Sequence, residues 1–104
     1  MSNIGTFKNL LEKGNDNALL RYSLGNEYFK ETDFEQAILH LEKAIEFNPD
    51  YSAAWKLYAK ALSENTQINE AIIAYEKGIN IAEKNGDIQA IKEMRVFLKR
   101  LKKG

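Results

Sequence analysis

The sequence predicts an all-α fold, a single domain of stacked helical hairpins with five to six helices. Three observations predict it. Displaced by 34 residues, the chain matches itself in size. Gly25 falls on Ala59, Leu24 on Tyr58, Ala37 on Ala71, Leu41 on Tyr75 and Ala44 on Gly78. Apolar residues recur at spacings of three and four, the period of one helix face. Capping residues and a single proline, Pro49, divide the chain at regular intervals. Two units of about 18–51 and 52–85 are therefore expected, each a pair of helices.

Taken in order, 1–16 forms an N-terminal arm or short helix. Ile4, Phe7, Leu10 and Leu11 favour a short helix that ends at Gly14 and packs on the first unit. Leu20, Leu24 and Tyr28 mark the next helix, about 17–30, with Asp16 as its N-cap. Glu31, Thr32 and Asp33 make the turn. Asp33 then caps a helix to about Phe47, and Gln36 stands three residues on, as in a capping box. Asn48-Pro49-Asp50 ends it, because proline moves its predecessor out of the helical region.

The second unit repeats this plan with helices at 52–64 and 68–84, stopped by Asn85-Gly86. Asp87 caps a last helix over 87–102, with Ile88, Ile91, Met94, Leu98 and Leu101 on one face. Lys102, Lys103 and Gly104 are expected to fray. Displaced by 36, this helix resembles the start of a third unit, except that Ala59 maps onto Arg95. A large charged residue where a small one should pack marks a terminal cap with one face in water.

Small residues at Gly25, Ala37, Ala44, Ala59, Ala71 and Gly78 allow helices to approach closely. Leu24, Leu41, Tyr58, Leu62 and Tyr75 fill the space between them. Tyr28 and Tyr58 read as core, and Trp55 as buried against the first unit.

With Pro49 at the end of the first unit and Trp55 opening the second, this pattern resembles the tetratricopeptide repeat (TPR) family over about two thirds of the chain. The resemblance implies a right-handed superhelix of antiparallel helix pairs. It also implies a concave face, lined by the first helix of each pair, where peptides and partner proteins usually sit. The flanking helices then serve to complete a short array, since stacks of fewer than about three units are marginal.

The chain has 104 residues, 44% of them apolar, which suits one small core. It has no cysteine, which excludes disulfides and cysteine-based metal sites or nucleophiles. No stretch approaches the roughly 18 apolar residues of a membrane span. The N-terminus does not read as a signal peptide. A soluble, cytoplasmic protein without a membrane role is expected. Net charge is zero but polarised. Residues 1–83 carry eight bases against thirteen acids, and residues 84–104 seven bases against two acids.

If the first helices line a groove, helical spacing selects its residues. These are Leu19, Tyr22, Asn26 and Phe29, then Ala53, Lys56, Leu57 and Lys60, then Gln89, Lys92, Val96 and Lys99. Of these, Tyr22, Asn26, Lys56, Lys60, Lys92, Val96 and Lys99 form the candidate peptide-binding set. Lysines beside an aromatic ring suit an acidic peptide or a terminal carboxylate. The plain alternative is a solvated helix face whose lysines pair weakly with Glu64 or Glu93.

Some family members hold a terminal carboxylate with lysine, asparagine and arginine. Asn26 matches that asparagine, but Tyr22 and Leu57 stand at the neighbouring lysine and asparagine. Starting one unit later restores the lysine as Lys56 and puts Lys60 and Glu93 in place of asparagine and arginine. The clamp is incomplete either way.

Catalysis finds little support. The one histidine, His40, falls on the outward side of its helix by periodicity, and no ligand set for a metal or phosphate loop for a cofactor is present. No cofactor is expected. The expected role is a non-catalytic adaptor or scaffold for an unknown protein or peptide. A second reading is a self-associating homodimer, motivated by the charge polarity. A third, nucleic-acid binding through Lys92, Arg95, Lys99, Arg100, Lys102 and Lys103, is weakened by the neutral total charge.

Overall fold

Caps and turns divide the described residues into six α-helices. In the computed structural model they are α1 (Ile4–Glu12), α2 (Ala18–Lys30), α3 (Phe34–Phe47), α4 (Ser52–Glu64), α5 (Ile68–Asn85) and α6 (Ile88–Lys103). The structure describes residues 3–104, so the first two residues of the 1–16 segment lie outside it. No strand occurs among the described residues.

Side chains satisfy the orphan N–H groups at three of the helix starts. Asn17 accepts from the Leu20 N–H, Asp33 from that of Gln36, and Asp87 from that of Ala90. Asn17, not Asp16, therefore caps α2. Asp16 is drawn instead to the Arg21 guanidinium, with Nε–Oδ1 at 2.7 Å and a second bond to Oδ2 at 2.8 Å. The capping box at Asp33 is half-made, because the Asp33 N–H is already donated to the Tyr28 carbonyl.

That last bond belongs to a helix ending used four times. Asn15, Asp33, Gln67 and Asp87 each donate to a carbonyl five residues back: Leu10, Tyr28, Leu62 and Ala82 respectively. The residue before each donor turns left-handed, with φ of 87° at Gly14, 59° at Thr32, 63° at Thr66 and 72° at Gly86. This is the six-to-one closure that ends a helix and reverses the chain. Glycine adopts it freely. The β-branched Thr32 and Thr66 do so under strain, and each hydroxyl bonds the preceding carbonyl at 2.6 Å. The last two helices run one residue beyond expectation, α5 to Asn85 and α6 to Lys103.

Helices α2 and α3 pair as one hairpin and α4 and α5 as the next, with α6 against α5. Helices α2, α4 and α6 also touch in succession, so they form one continuous layer. The stack measures 42 × 28 × 21 Å. Close approach is steric at two glycines. A Cβ on Gly25 would stand 2.6 Å from Cγ of the fully buried Leu41. One on Gly78 would meet Met94 Sδ at 2.7 Å and Trp55 Cβ at 3.1 Å.

Two apolar clusters result. Leu24, Tyr28, Ala37, Leu41 and Ala61 form the first, and Ile4, Phe7 and Leu11 of α1 pack onto it. Leu10 points away and is exposed. Ala59, Leu62, Ala71, Ala74, Tyr75, Ile79 and Met94 anchor the second, beneath α6.

Two further expectations need correction. Trp55 is half-buried. It packs mainly on the second cluster, edge-on to Tyr58, and reaches the first unit by donating its indole N–H to the Pro49 carbonyl at 2.8 Å. His40 is not outward-facing. It is 6% exposed, with its ring parallel to Tyr28 at 5.4 Å and its Nδ1 3.0 Å from an Arg21 nitrogen. Because a guanidinium can only donate, Nδ1 accepts and the proton sits on Nε2. Arg21 is the polar partner that makes the burial tolerable.

Candidate partner-binding face

The layer of α2, α4 and α6 carries the candidate residues, and their side chains meet across helices. Lys60 of α4 projects between two rings, its Nζ 5.4 Å from the Phe29 centroid on α2 and 5.6 Å from the Phe97 centroid on α6. Attraction of a cation to ring faces holds the ammonium there. It has no carboxylate partner among the described residues. Phe97 is itself fixed by stacking on Tyr75 at 5.9 Å.

One turn earlier, Lys56 is neutralised. Its Nζ lies 2.6 Å from Glu93 Oε2, and Lys56 holds the Glu93 carboxyl below the usual range. A continuous positive groove is therefore interrupted at Lys56, and Lys60, Lys92 and Lys99 carry the charge without a carboxylate partner among the described residues.

At the other end of the face, Tyr22 packs against Tyr51 with centroids 5.1 Å apart. Asn26, one turn on, is partly exposed. Leu19 is 66% exposed and Val96 49% exposed. Lys92 and Lys99 are exposed on either side of Val96. Ala53 and Leu57 are half-buried between the helices, and Gln89 is exposed. The layer thus offers apolar contacts at both ends and one aromatic-held cation at its centre.

Polar ties set the orientation of this layer. Ser52 at the start of α4 donates its hydroxyl to Asp87 Oδ2 at 2.8 Å, tying it to the start of α6. That bond, with the Ala90 N–H, lowers the Asp87 carboxyl. Lys84 and Asn85 both reach Asp50 in the α3–α4 loop. Glu27, buried on α2, accepts from the Asn3 N–H at 3.0 Å and pairs with Lys30, and both contacts lower its carboxyl. Helical period could not show these partners. Apart from Glu27–Lys30, one turn apart on α2, they join residues 24 to 35 positions apart, and their meeting depends on the stacking angle.

The remaining candidate surface, the basic side of α6, is partly neutralised. Arg95 bonds Glu83 at 2.9 Å and Lys102 bonds Glu76 at 3.1 Å. Arg100 lies over Phe97. Among the described residues, no three His, Cys, Asp or Glu side chains are placed to hold a metal ion, and no helix is long and apolar enough to cross a membrane.

Residues 28–94 match the tetratricopeptide repeat family. A TPR repeat-containing protein of Pseudomonas aeruginosa is 47% identical over 92 residues, spanning 88% of each chain. A Bordetella parapertussis protein solved in solution is 38% identical, with a TM-score of 0.87 over 99% of this chain and 90% of that one. A tetratricopeptide repeat domain protein from Salinibacter ruber shares the fold at a TM-score of 0.75 and 23% identity, over 83% of this chain and 87% of that one. The stress-induced phosphoprotein 1 of Caenorhabditis elegans is 32% identical over 64% of this chain, but only 21% of its own length is matched.

The chain belongs to the tetratricopeptide repeat family. Domains of this family generally mediate protein–protein interaction.

Proposed function

We propose that this protein is a non-catalytic adaptor that holds a partner peptide along α2, α4 and α6. Tyr22, Asn26, Lys60, Lys92, Val96 and Lys99 make the contact. Lys56 is a contact only where the ligand displaces Glu93. The observation that carries this reading is Lys60. Its ammonium is held over two aromatic faces, at 5.4 and 5.6 Å, without a carboxylate partner among the described residues. A cation so placed is oriented and only partly compensated. It suits a ligand carboxylate flanked by apolar side chains.

The test is capture from native cell extract on wild type and on Lys60→Glu, read by mass spectrometry, with circular dichroism on both proteins. A client retained by wild type and lost by the folded variant supports the reading. Equal recovery on both rejects Lys60 as the centre of the site.

A further inference from the structure

Helix α6 differs from α2 and α4 at the position where each of those helices carries a small residue. On α2 the small residue Gly25 is covered by Leu41 of α3. On α4 the corresponding Ala59 is fully buried in the cluster that holds Tyr75 of α5. On α6 the corresponding position is Arg95, and it is exposed. The surface left uncovered is a shallow groove lined by Arg95, Leu98, Lys99, Lys102 and Lys103. Its floor is apolar and its rim is four cations. Arg95 and Lys102 have exposed partners on α5. Lys99 and Lys103 have no carboxylate partner among the described residues.

The same chain carries a matching ridge. Glu35, Leu39, Glu42 and Glu46 of α3 lie at helical spacings of four, three and four, so they share one stripe. All four are exposed, and Leu39 is 49% exposed. Glu46 pairs loosely with Lys43 at 3.7 Å, and Glu42 meets the Tyr58 hydroxyl. A leucine among three carboxylates faces solvent, and a half-buried leucine among four cations lines the groove elsewhere on the same molecule.

We infer that the α6 groove receives the α3 ridge of a second copy of this chain. Arg95 excludes the intimate packing seen at Gly25. It selects a helix that brings an acid to that position, and α3 presents one on either side of Leu39. The two patches differ, so the contact is heterologous, and copies add head to tail as an open row or a closed ring. Charge complementarity of this kind makes association fast and salt-sensitive. This contact does not depend on the peptide-binding reading.

Light scattering and sedimentation of the full chain, from about 10 μM to about 1 mM, test it. Mass is expected to rise with concentration at low salt and to return to the monomer near 0.5 M salt, where the Debye length falls to a few Å (about 3 Å at 1 M). Lys102→Glu/Lys103→Glu and Glu42→Lys/Glu46→Lys, each alone, weaken association about tenfold or more. Both leave Lys60, Lys92 and Lys99 untouched. An equimolar mixture of the two variants restores association, which also shows that both are folded.

A wild type that stays monomeric at low salt overturns the inference, as does a mass that survives either charge reversal or a mixture that remains monomeric. A monomeric wild type that binds an isolated acidic amphipathic peptide overturns the second copy as occupant.

Discussion

Replacing Gly25 by alanine adds one methyl group and separates two opposing effects. In an exposed helix this change stabilises by about 1 kcal/mol, because glycine is a poor helix former. Here the new Cβ stands 2.6 Å from Leu41 Cγ and 2.8 Å from its Cδ2. Favourable carbon contacts lie near 3.5–4.0 Å, so Leu41 must retreat by roughly 1 Å. It is 0% exposed and has nowhere open to go. Overpacking of this kind costs about 1–3 kcal/mol, and set against the helical gain of about 1 kcal/mol the net expectation is a loss of up to about 2 kcal/mol. For a domain of this size each kcal/mol lowers Tm by roughly 4–8 °C.

Urea and thermal unfolding of Gly25→Ala, Leu41→Ala and the double variant measure the effect. Leu41→Ala alone costs about 2–5 kcal/mol through its cavity. The added methyl enters that cavity in the double variant, so its cost falls short of the sum by about 1 kcal/mol or more. Gly78→Ala is the milder control, since its nearest contact is the flexible thioether of Met94. A Gly25→Ala protein that is more stable than wild type, or additive with Leu41→Ala, would refute the close-approach argument.

Thr32→Gly and Thr66→Gly should each raise stability by about 0.5–1 kcal/mol, since left-handed backbone at a β-branched residue is strained. Chemical denaturation checks this, and the two gains should add because the turns are separate. Burial, followed by the Arg21 charge, holds the His40 imidazole below its ordinary pKa. The unfolded chain then takes up a proton first, so stability is complete above about pH 6.5 and declines as pH falls below it. His40→Gln should flatten that decline below about pH 6.5 in pH-resolved denaturation. Removing residues 87–104 takes Met94 and Phe97 off Tyr75 and Gly78. The shortened chain should bind a hydrophobic dye and aggregate, as size-exclusion chromatography would show.

The helices were legible because each carries a regular apolar stripe and a recognisable end. Asp33, Asp87 and Gly86 sit where propensity places them, and Gly25 and Gly78 announce close contacts by their size alone. His40 was not legible. Periodicity gives the direction of a side chain but not what lies over it, and the cover comes from Arg21 and Tyr28 on the neighbouring helix, with Lys8 of α1 nearby. Asp16 and Asn17 are both good caps, and only the pull of Arg21 on Asp16 decides between them. Lys56 and Lys60 look alike in sequence. One meets Glu93 and the other two phenylalanines, a difference set by the rotation of α6 relative to α4.

Every large packing surface in this molecule joins helices that are neighbours in the chain, and contacts beyond the next helix are confined to α2–α4 and α4–α6. Little entropy is lost in closing long segments, so such a chain folds in microseconds to milliseconds. Ribosomes add only about 5–20 residues per second. Each hairpin therefore has ample time to form while the rest of the chain is still being made, and the order of synthesis becomes the order of assembly. The last helix is also the one that covers Tyr75 and Ile79. For the second or so that α6 takes to emerge at that rate, the growing protein presents Tyr75 and Ile79 uncovered, and that interval is when a chaperone has a hydrophobic surface to hold.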